Sequence, residues 1–574
     1  MTGERQRLFD MGVWETVPDK SVPLCISRIF IIEKADKIRI VFDMRRVNAY
    51  VRKAAARYEG LRHLMHMARQ NDYMLSFDIK DGFYHVPIHP AFRRFFAFRL
   101  GDEVLQFAAL SMGWTRSPWV FTKLMRVVVR ALRARGVRVL PYVDDFLILQ
   151  STRWRALRAR AIVTCMLQRL GLHRSPTKGV WEPTQRIDHL GMTIDTARGL
   201  FMVPPTRVAA IQHQARRLYG YAAASARRVP AKTVASFAGI ALATSLAVPP
   251  ARLMTRALYD ALRSRPPAAP WSHRVRLSSQ AMTDLRWWAA LESRWNGRAI
   301  WVPPTTATLH TDASGSTGWG AVLNRQVPAY GFWRQHQRPH HITWKELLAV
   351  RLSLQAFLRM LARHAVQLWC DNIAVVRIVT TGVSRSPFLM QELRKLWAVC
   401  AEHDIRLKAE YVRSAINIAD PWSRIVDKSD WKLNPTEFQR AARRWGMPTI
   451  DRFATANNAQ VPRYNSRFPD PCAEAVDAFT QSWAQEHNWI NPPWDLLPQV
   501  VRKLRATQDV CATIVAPRWA AQPWFHDLRD MASDSIMIAP RRDVFFPGHL
   551  GSAEPLGNPH WQVMVFHIRP ARCD

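Results

Sequence analysis

Through the first two hundred positions, apolar residues come in short runs broken by polar turns. Leu140-Pro-Tyr-Val-Asp-Asp-Phe-Leu-Ile-Leu149 reads as two apolar strands meeting at a tight turn, with Asp144 and Asp145 at its tip. Residues 28–43 alternate strand, polar turn, strand, and carry Lys34, Lys37 and Arg39, which suit phosphate. Residues 60–70 have a helical pattern. Tyr73-Met-Leu-Ser-Phe-Asp78 is then a strand that ends on Asp78, before a sharp turn at Asp81-Gly82-Phe83. A loop from Leu110 to Pro118 opens a helix predicted over Phe121–Arg135. Strand, helix, hairpin, helix, strand in that order is the split βαβ pattern. After Pro204-Pro205 the pattern is helical and basic up to Ser264, and the small residues of Val234–Leu242 suit close helix packing. Pro266–Pro270 and Pro303-Pro304 read as linkers or strand borders.

The second half repeats strands around acids. Residues 307–323 predict a strand holding Asp312, a glycine-rich turn and a second strand. Ile342 opens a helix on which Thr343 and Glu346 have the spacing of a capping box, a purely local role for Glu346. Val366–Asn372 is a strand ending at Asp371, and Asp420 opens a last helix within Asn417–Arg424. Beyond them come Thr449–Ala454, Asn457–Tyr464, Val476–Trp483 and Ile490-Asn-Pro-Pro-Trp494.

Composition narrows the class. The chain has 574 residues, too many for one core, with 48% hydrophobic and 22% charged residues, a globular balance. Lys and Arg number 81 against 45 Asp and Glu, a net charge of +36 spread along the whole length. That points to a long polyanionic partner, nucleic acid first, with a merely basic solvated surface as the plain alternative. Seven scattered cysteines without C-x-x-C spacing indicate neither a disulfide framework nor a zinc site. No signal-peptide core and no membrane-length apolar run is present, so an intracellular, soluble protein is expected, with no membrane partner and no secretion.

Chemistry concentrates on the acids. Two adjacent carboxylates between apolar strands repel each other unless a cation lies between them, and hard divalent ions take carboxylate oxygens. An exposed acidic turn is the alternative for Asp144-Asp145. Asp78, ending a separate strand, would supply the third carboxylate that a two-metal phosphoryl-transfer site needs.

Six ordered segments resemble the successive motifs of reverse transcriptases: Lys34…Arg39…Asp43–Asn48, Phe77–Tyr84, Ser111-Met-Gly…Ser117-Pro118, Tyr142-Val-Asp-Asp145, Gly171–Lys178 and His189–Ile194. The resemblance implies a right-hand polymerase in which Asp78, Asp144 and Asp145 hold two Mg²⁺, with Mn²⁺ as a substitute. Arg39, assisted by Lys34, would grip the incoming triphosphate. Phe83 would exclude a ribose 2′-OH, making dNTPs the substrates, and Met112-Gly113 would border the nucleotide. Lys178 would act near the pyrophosphate leaving group, and the turn containing Gly191 would grip the primer end. Met112 departs from the Gln of many retroviral enzymes, which bears on fine nucleotide selection.

Residues 305–424 resemble the ribonuclease H family, which implies that Asp312, Glu346, Asp371 and Asp420 bind two Mg²⁺ and direct a water onto the RNA strand of a hybrid. The His-bearing loop of cellular relatives is replaced by Tyr411–Asn417. The last segment resembles phage-type adenine-N6 methyltransferases. Asn491 and Pro492 would receive a flipped base, Trp494 would stack on it, and Asp451 and Asp477 would contact S-adenosylmethionine, although no glycine-rich cofactor loop follows Asp451.

The expected architecture is multidomain α/β: fingers and palm with a split βαβ core over residues 1–200, a helical thumb and connection over 201–300, a ribonuclease H-like mixed sheet over 301–427, and a Rossmann-like methyltransferase-type domain over 428–574. Together they resemble the polyprotein of a DIRS-type retrotransposon, which implies RNA template, DNA primer and RNA–DNA hybrid as partners and a separately encoded tyrosine recombinase. Two rivals stay open: a gypsy-like or pararetroviral polymerase, and a non-catalytic RNA-binding scaffold.

Overall fold

The computed structural model describes residues 2–17, 25–34, 37–52, 54, 58–301, 304–426, 430–548, 557 and 559–569; within 31–39 it describes the backbone only. The chain divides into two compact units, Met1–Val302 and Pro303–Asp574. Among the described residues no helix is long and apolar enough to cross a membrane.

In the first unit, the strands Trp14–Thr16, Glu103–Phe107, Ala97–Leu100, Ile26–Lys34 and Lys37–Asp43 form one sheet in that spatial order. A second sheet holds Tyr73–Asp78, Asp145–Gln150 and Arg138–Tyr142, all antiparallel, with Asp145–Gln150 in the middle. Its central strand is buried from Phe146 to Gln150, as a strand covered on both faces must be. The helix Ser117–Ala134 covers it with Phe121, Met125, Val128, Val129 and Leu132, an apolar stripe at helical spacing. Phe77 and Phe146 stack at 4.8 Å beneath it.

Two boundaries differ from the sequence reading. The helix expected from Phe121 begins at Ser117, because Pro118 in the first turn has no N–H to lose there. The helix expected over 60–70 is Leu61–Met67, ending where Ala68 turns extended. A third sheet contains Arg186–His189, Met192–Asp195, Leu200–Met202 and Arg298–Ala299. The basic helical stretch resolves into Pro205–Ala224, Ala231–Leu242 and Arg256–Arg263. These pack with Ser279–Ala289 around Trp288, whose indole N–H donates to the Met254 carbonyl at 2.9 Å.

The second unit holds two five-stranded sheets. In the first, Val327–Phe332, Gly318–Leu323 and Ala307–Ala313 are antiparallel, while Ala365–Cys370 and Arg406–Tyr411 continue parallel to Ala307–Ala313. In the second, Ile450–Asp451, His487–Ile490 and Cys511–Pro517 are parallel. Val563–Ile568 then runs antiparallel to both Cys511–Pro517 and Asp534–Ile538. The sheet is mixed: antiparallel Val563–Ile568 lies between Cys511–Pro517 and Asp534–Ile538, which point the same way.

Candidate functional site

The hairpin delivers its acids by register. Asp145 pairs across the sheet with Asp78 on one side and Tyr142 on the other, so two carboxylates sit side by side at the end of the strands. Val143 turns the chain with φ near 57°. Asp144 lies in that turn, and its carbonyl accepts from the Ile79 N–H at 3.0 Å. Asp144 alone is thus at the tip expected for both acids, since Asp145 already belongs to the strand. Burial, reinforced by Asp144 and then Asp78, pushes the Asp145 carboxyl up to about 6. Burial and then Asp78 likewise raise Asp144 above the usual carboxylate range.

Lys178 is the cation of this cluster. Its Nζ donates to both Asp78 oxygens at 3.0 and 3.1 Å, and that bond holds its ammonium above the usual lysine range. The segment carrying it lies along the Tyr73–Asp78 strand: Ser175 N–H donates to the Asp78 carbonyl, and Ser76 N–H to the Val180 carbonyl. Gly179 permits the approach. Its φ is +84°, and a Cβ there would stand 2.4 Å from the Ser76 carbonyl oxygen.

Around the cluster, Phe83 packs edge-on against Phe121 at 5.7 Å and is half-buried. Met112 is exposed, and Gly113 has φ of +94°. Asn48, whose part the sequence did not specify, fixes that loop: its Nδ2 donates to the Gly113 carbonyl and its Oδ1 accepts from Thr115 N–H. His189 is buried, which pushes its imidazole down to about 4 and leaves it neutral. The following two-residue turn has positive φ at Leu190 and Gly191, and the Gly191 carbonyl accepts from Arg207. Lys34 and Arg39 lie on described strands, but their side chains lie outside the described ones.

In the second unit, Asp312 sits near the end of Ala307–Ala313, and Asp371 directly follows Ala365–Cys370, the parallel neighbour strand. Donor atoms of Glu346, Cys370 and Asp371 all lie within 4.8 Å of one another. Burial first, then Asp312 and Asp371, push the Glu346 carboxyl up to about 9. The capping-box alternative for Glu346 is overturned. The helix starts at Ile342, His341 Nδ1 accepts from Thr343 N–H, and the Glu346 side chain faces the acids. Asp312 is also raised, by burial and then by its acidic neighbours. Its Oδ2 is buried without a hydrogen-bond partner among the described residues.

Asp420 is the first residue of the helix Asp420–Ser423, and Arg424 donates to it at 2.9 and 3.1 Å. A glycine places that helix. Gly320 is the register partner of Asp312, and a Cβ on it would lie 2.4 Å from Ser423 N and 2.7 Å from the Ala419 carbonyl oxygen. Asn417 completes the junction, donating to the Thr311 carbonyl at 3.0 Å. Sequence spacing gave no sign of the part played by Gly320 or Asn417. The buried Asp312 Oδ2 and the carboxylates of Glu346 and Asp371, with the Cys370 thiol among them, fit a divalent cation, whereas Asp78, Asp144 and Asp145 stand close enough to repel but do not bring one donor atom each within 4.8 Å of the others.

The C-terminal candidates do not assemble in the expected way. Asp451 is buried, with Oδ1 accepting from Phe453 N–H and Oδ2 from Gln460 N–H, and burial pushes it up to about 7. Its oxygens are committed to main-chain amides, which does not fit a contact to S-adenosylmethionine. Asp477 caps its own turn through Phe479 N–H. Asn491 Nδ2 donates to the Trp431 carbonyl, and Pro492 is buried. Trp494 stands edge-on to Trp431, Trp519 and Trp561, at 4.4–5.5 Å, instead of presenting a free face.

Comparison with known proteins places the first cluster. Residues 31–194 match the family model described as reverse transcriptase (RNA-dependent DNA polymerase), so the chain carries a reverse transcriptase domain of the kind found in retroviral polyproteins. The Gag-Pol polyprotein of avian leukosis virus subgroup A is 28% identical over 339 residues, 57% of this chain and 20% of that polyprotein. The genome polyprotein of petunia vein clearing virus is 23% identical over 335 residues, 56% of this chain and 14% of that one. The chain thus spans about a fifth or less of the length of these curated relatives. A foamy viral protease-reverse transcriptase solved in complex with dsDNA is 18% identical with a TM-score of 0.46, over 72% of this chain and 82% of that one.

Proposed function

We propose that the first unit is an RNA-directed DNA polymerase that uses dNTPs on a primed template, and that residues 301–427 cleave the RNA strand of the resulting hybrid. The observation that carries this reading is the cross-strand pair Asp78–Asp145 with Asp144 and Lys178, inside the span that matches the reverse transcriptase model. Asp78, Asp144 and Asp145 would hold divalent cations, as would Asp312, Glu346, Asp371 and Asp420. When bound, such ions supply charge stabilisation at the attacking and leaving oxygens.

The chain's own residues do the remainder. Lys178 keeps Asp78 oriented and offers a proton near the departing pyrophosphate. Phe83 closes the sugar side of the nucleotide site against a 2′-OH, with Arg39 and Lys34 on the triphosphate. Asn48 holds Met112 and Gly113 in place beside the templated pair. The neutral His189 lets the Leu190-Gly191 turn fold tightly enough to support a primer end. In the second unit, Gly320 and Asn417 keep Asp420 seated over Asp312, so that four acids face one scissile phosphate.

Placement in a DIRS-type element, with a recombinase encoded separately, is supported by the Asn491-Pro-Pro-Trp494 segment following a ribonuclease H-like unit in one chain. No base contact and no methyl-transfer step is assigned to Asn491, Pro492 and Trp494.

The test is dNTP incorporation on primed RNA with Mg²⁺, beside cleavage of a labelled hybrid. Asp144→Asn should abolish incorporation and leave cleavage, and Glu346→Gln should do the reverse. A wild-type chain that binds primed RNA tightly yet does neither is a scaffold, and the proposal fails.

A further inference from the structure

Away from both acidic clusters, the second sheet of the C-terminal unit gathers nitrogen and sulfur donors. His487 and Cys511 are register partners on adjacent parallel strands, and Thr513, two residues along, is the partner of His567 on the next strand. One donor atom from each of His487, Cys511 and His567 lies within 4.8 Å of the others. Cys511 is a free thiol. His487 Nε2 is 2.9 Å from Thr513 Oγ1, and His567 Nδ1 is 3.3 Å from the same hydroxyl.

The surroundings hold the rings as a coordination site requires. Gly446 lies beside the His487 ring, where an added Cβ would stand 4.0 Å from Nδ1. Trp445 stacks on the His567 ring at 5.0 Å with only 4° between planes. Trp445 is itself pinned by its Nε1 donating to Asp534, the cross-strand partner of His567. Arg444 pairs with that same carboxylate at 2.7 and 2.8 Å, so Asp534 is engaged from outside the cluster.

We propose that His487, Cys511 and His567 bind one Zn²⁺, tying together three strands of this sheet, with Thr513 or a water in the fourth position. Two imidazoles and a thiolate are the soft, tetrahedral donor set that selects zinc over the magnesium suited to the carboxylate sites. Zinc ligands stand about 3.3–3.8 Å apart when bonds are about 2.0–2.3 Å, so donors within 4.8 Å need close by no more than about 1.5 Å. On binding, the Cys511 S–H gives its proton to solvent as the S–Zn bond forms, and both imidazoles bind as neutral rings.

The competing description is a hydrogen-bond relay in which the Thr513 hydroxyl bridges two histidines and the thiol is a bystander. The full chain, stripped with chelator and kept in excess Mg²⁺ to fill the carboxylate sites, is titrated with Co²⁺ as the probe. The proposal expects a near-ultraviolet thiolate-to-cobalt band and the strong visible bands of a four-coordinate ion. Both should saturate at one equivalent and bleach when Zn²⁺ is added. Cys511→Ser should lose the thiolate band, whereas Cys472→Ser, at an exposed cysteine, should keep it. If Cys511→Ser fails to fold, His567→Gln, which keeps the thiol, should weaken Co²⁺ binding at least tenfold. A folded wild type with no thiolate band, or a band that survives Cys511→Ser, overturns the zinc site in favour of the relay.

Discussion

Gly320→Ala is the sharpest probe of how the acids of the second unit are assembled. The added methyl would stand 2.4 Å from Ser423 N, 2.6 Å from Trp422 C and 2.7 Å from the Ala419 carbonyl oxygen, all main-chain atoms. Ordinary contact begins near 3.4 Å, so the Asp420–Ser423 helix must retreat by about 1 Å, and no side-chain rotation can relieve it. The glycine has an ordinary negative φ, so the substitution adds no backbone strain and the effect isolates spacing. Overpacking of this kind costs ~1–3 kcal/mol, a drop of roughly 2–10 °C in Tm for a unit of this size. Because Asp312 is the register partner of Gly320, the same shift moves Asp420 away from Asp312. A displacement of ~1 Å at a reacting centre costs about a hundredfold in rate. The assay is hybrid cleavage and dNTP incorporation by the same preparation, with Gly315→Ala as control, since a Cβ there meets nothing within 4 Å. Cleavage should fall by about two orders of magnitude with incorporation unchanged. Cleavage equal to that of Gly315→Ala would refute the placement of Asp420 by this glycine.

Other consequences concern charge and the nucleotide site. Glu346 holds its proton up to about 9 in the folded chain against an ordinary 4.5, so its stabilising contribution is whole below 4.5 and is lost as pH rises through about 9. Added Mg²⁺ should therefore raise Tm more at pH 9 than at pH 6, and Glu346→Gln should flatten that difference; a Tm increment independent of pH counts against the acid cluster. Lys178→Ala should lower the maximal incorporation rate by ~10–100-fold while lowering the Mg²⁺ concentration needed for half-activity, because it frees Asp78. Lys178→Arg should restore part of the rate, and a change in Mg²⁺ requirement alone would remove Lys178 from the chemistry. Phe83→Ala, which removes the ring packed on Phe121, should raise ribonucleotide use by ~10–100-fold relative to dNTPs in competition assays; unchanged discrimination would show that another side chain meets the 2′-OH.

What could be read from the sequence follows how local the determinant is. Asp78 and Asp145 were visible because each ends or begins a short continuous apolar run, and the charged residue that breaks the run marks where the strand stops. Glu346 was ambiguous, since its spacing from Thr343 fits a cap as well as a site. Only the true start at Ile342 separates the two. Gly320, Gly179 and Asn48 were silent because their effect is on segments about 100 residues away in the first two cases and 65 in the third. The C-terminal sheet hid for a similar reason. Ile450–Asp451 is only two residues long, too short to show periodicity, and Val563–Ile568 inserts antiparallel from the far end of the chain. Cysteine spacing could not show the His487–Cys511–His567 group for the same cause: these residues are neighbours only across strands.

Both acidic clusters leave more negative charge than their cations can offset. In the first, among the described side chains, Lys178 pairs with Asp78 beside Asp144 and Asp145, and Lys178 is 63% exposed while Asp78 is 8%. In the second, Arg424 is equally exposed and touches Asp420 at the edge of four acids. Ion pairs with so exposed a partner stabilise by ~0–1 kcal/mol, too little to offset the burial, and then the mutual repulsion, that raise Asp144, Asp145, Asp312 and Glu346. A fold selected for stability alone would have replaced one acid in each cluster with an amide of the same shape. Acids gathered at two clusters in a chain whose net charge is +36 separate two roles. On the proposed function, the basic residues draw in a polyanion and the acids of each cluster serve divalent cations.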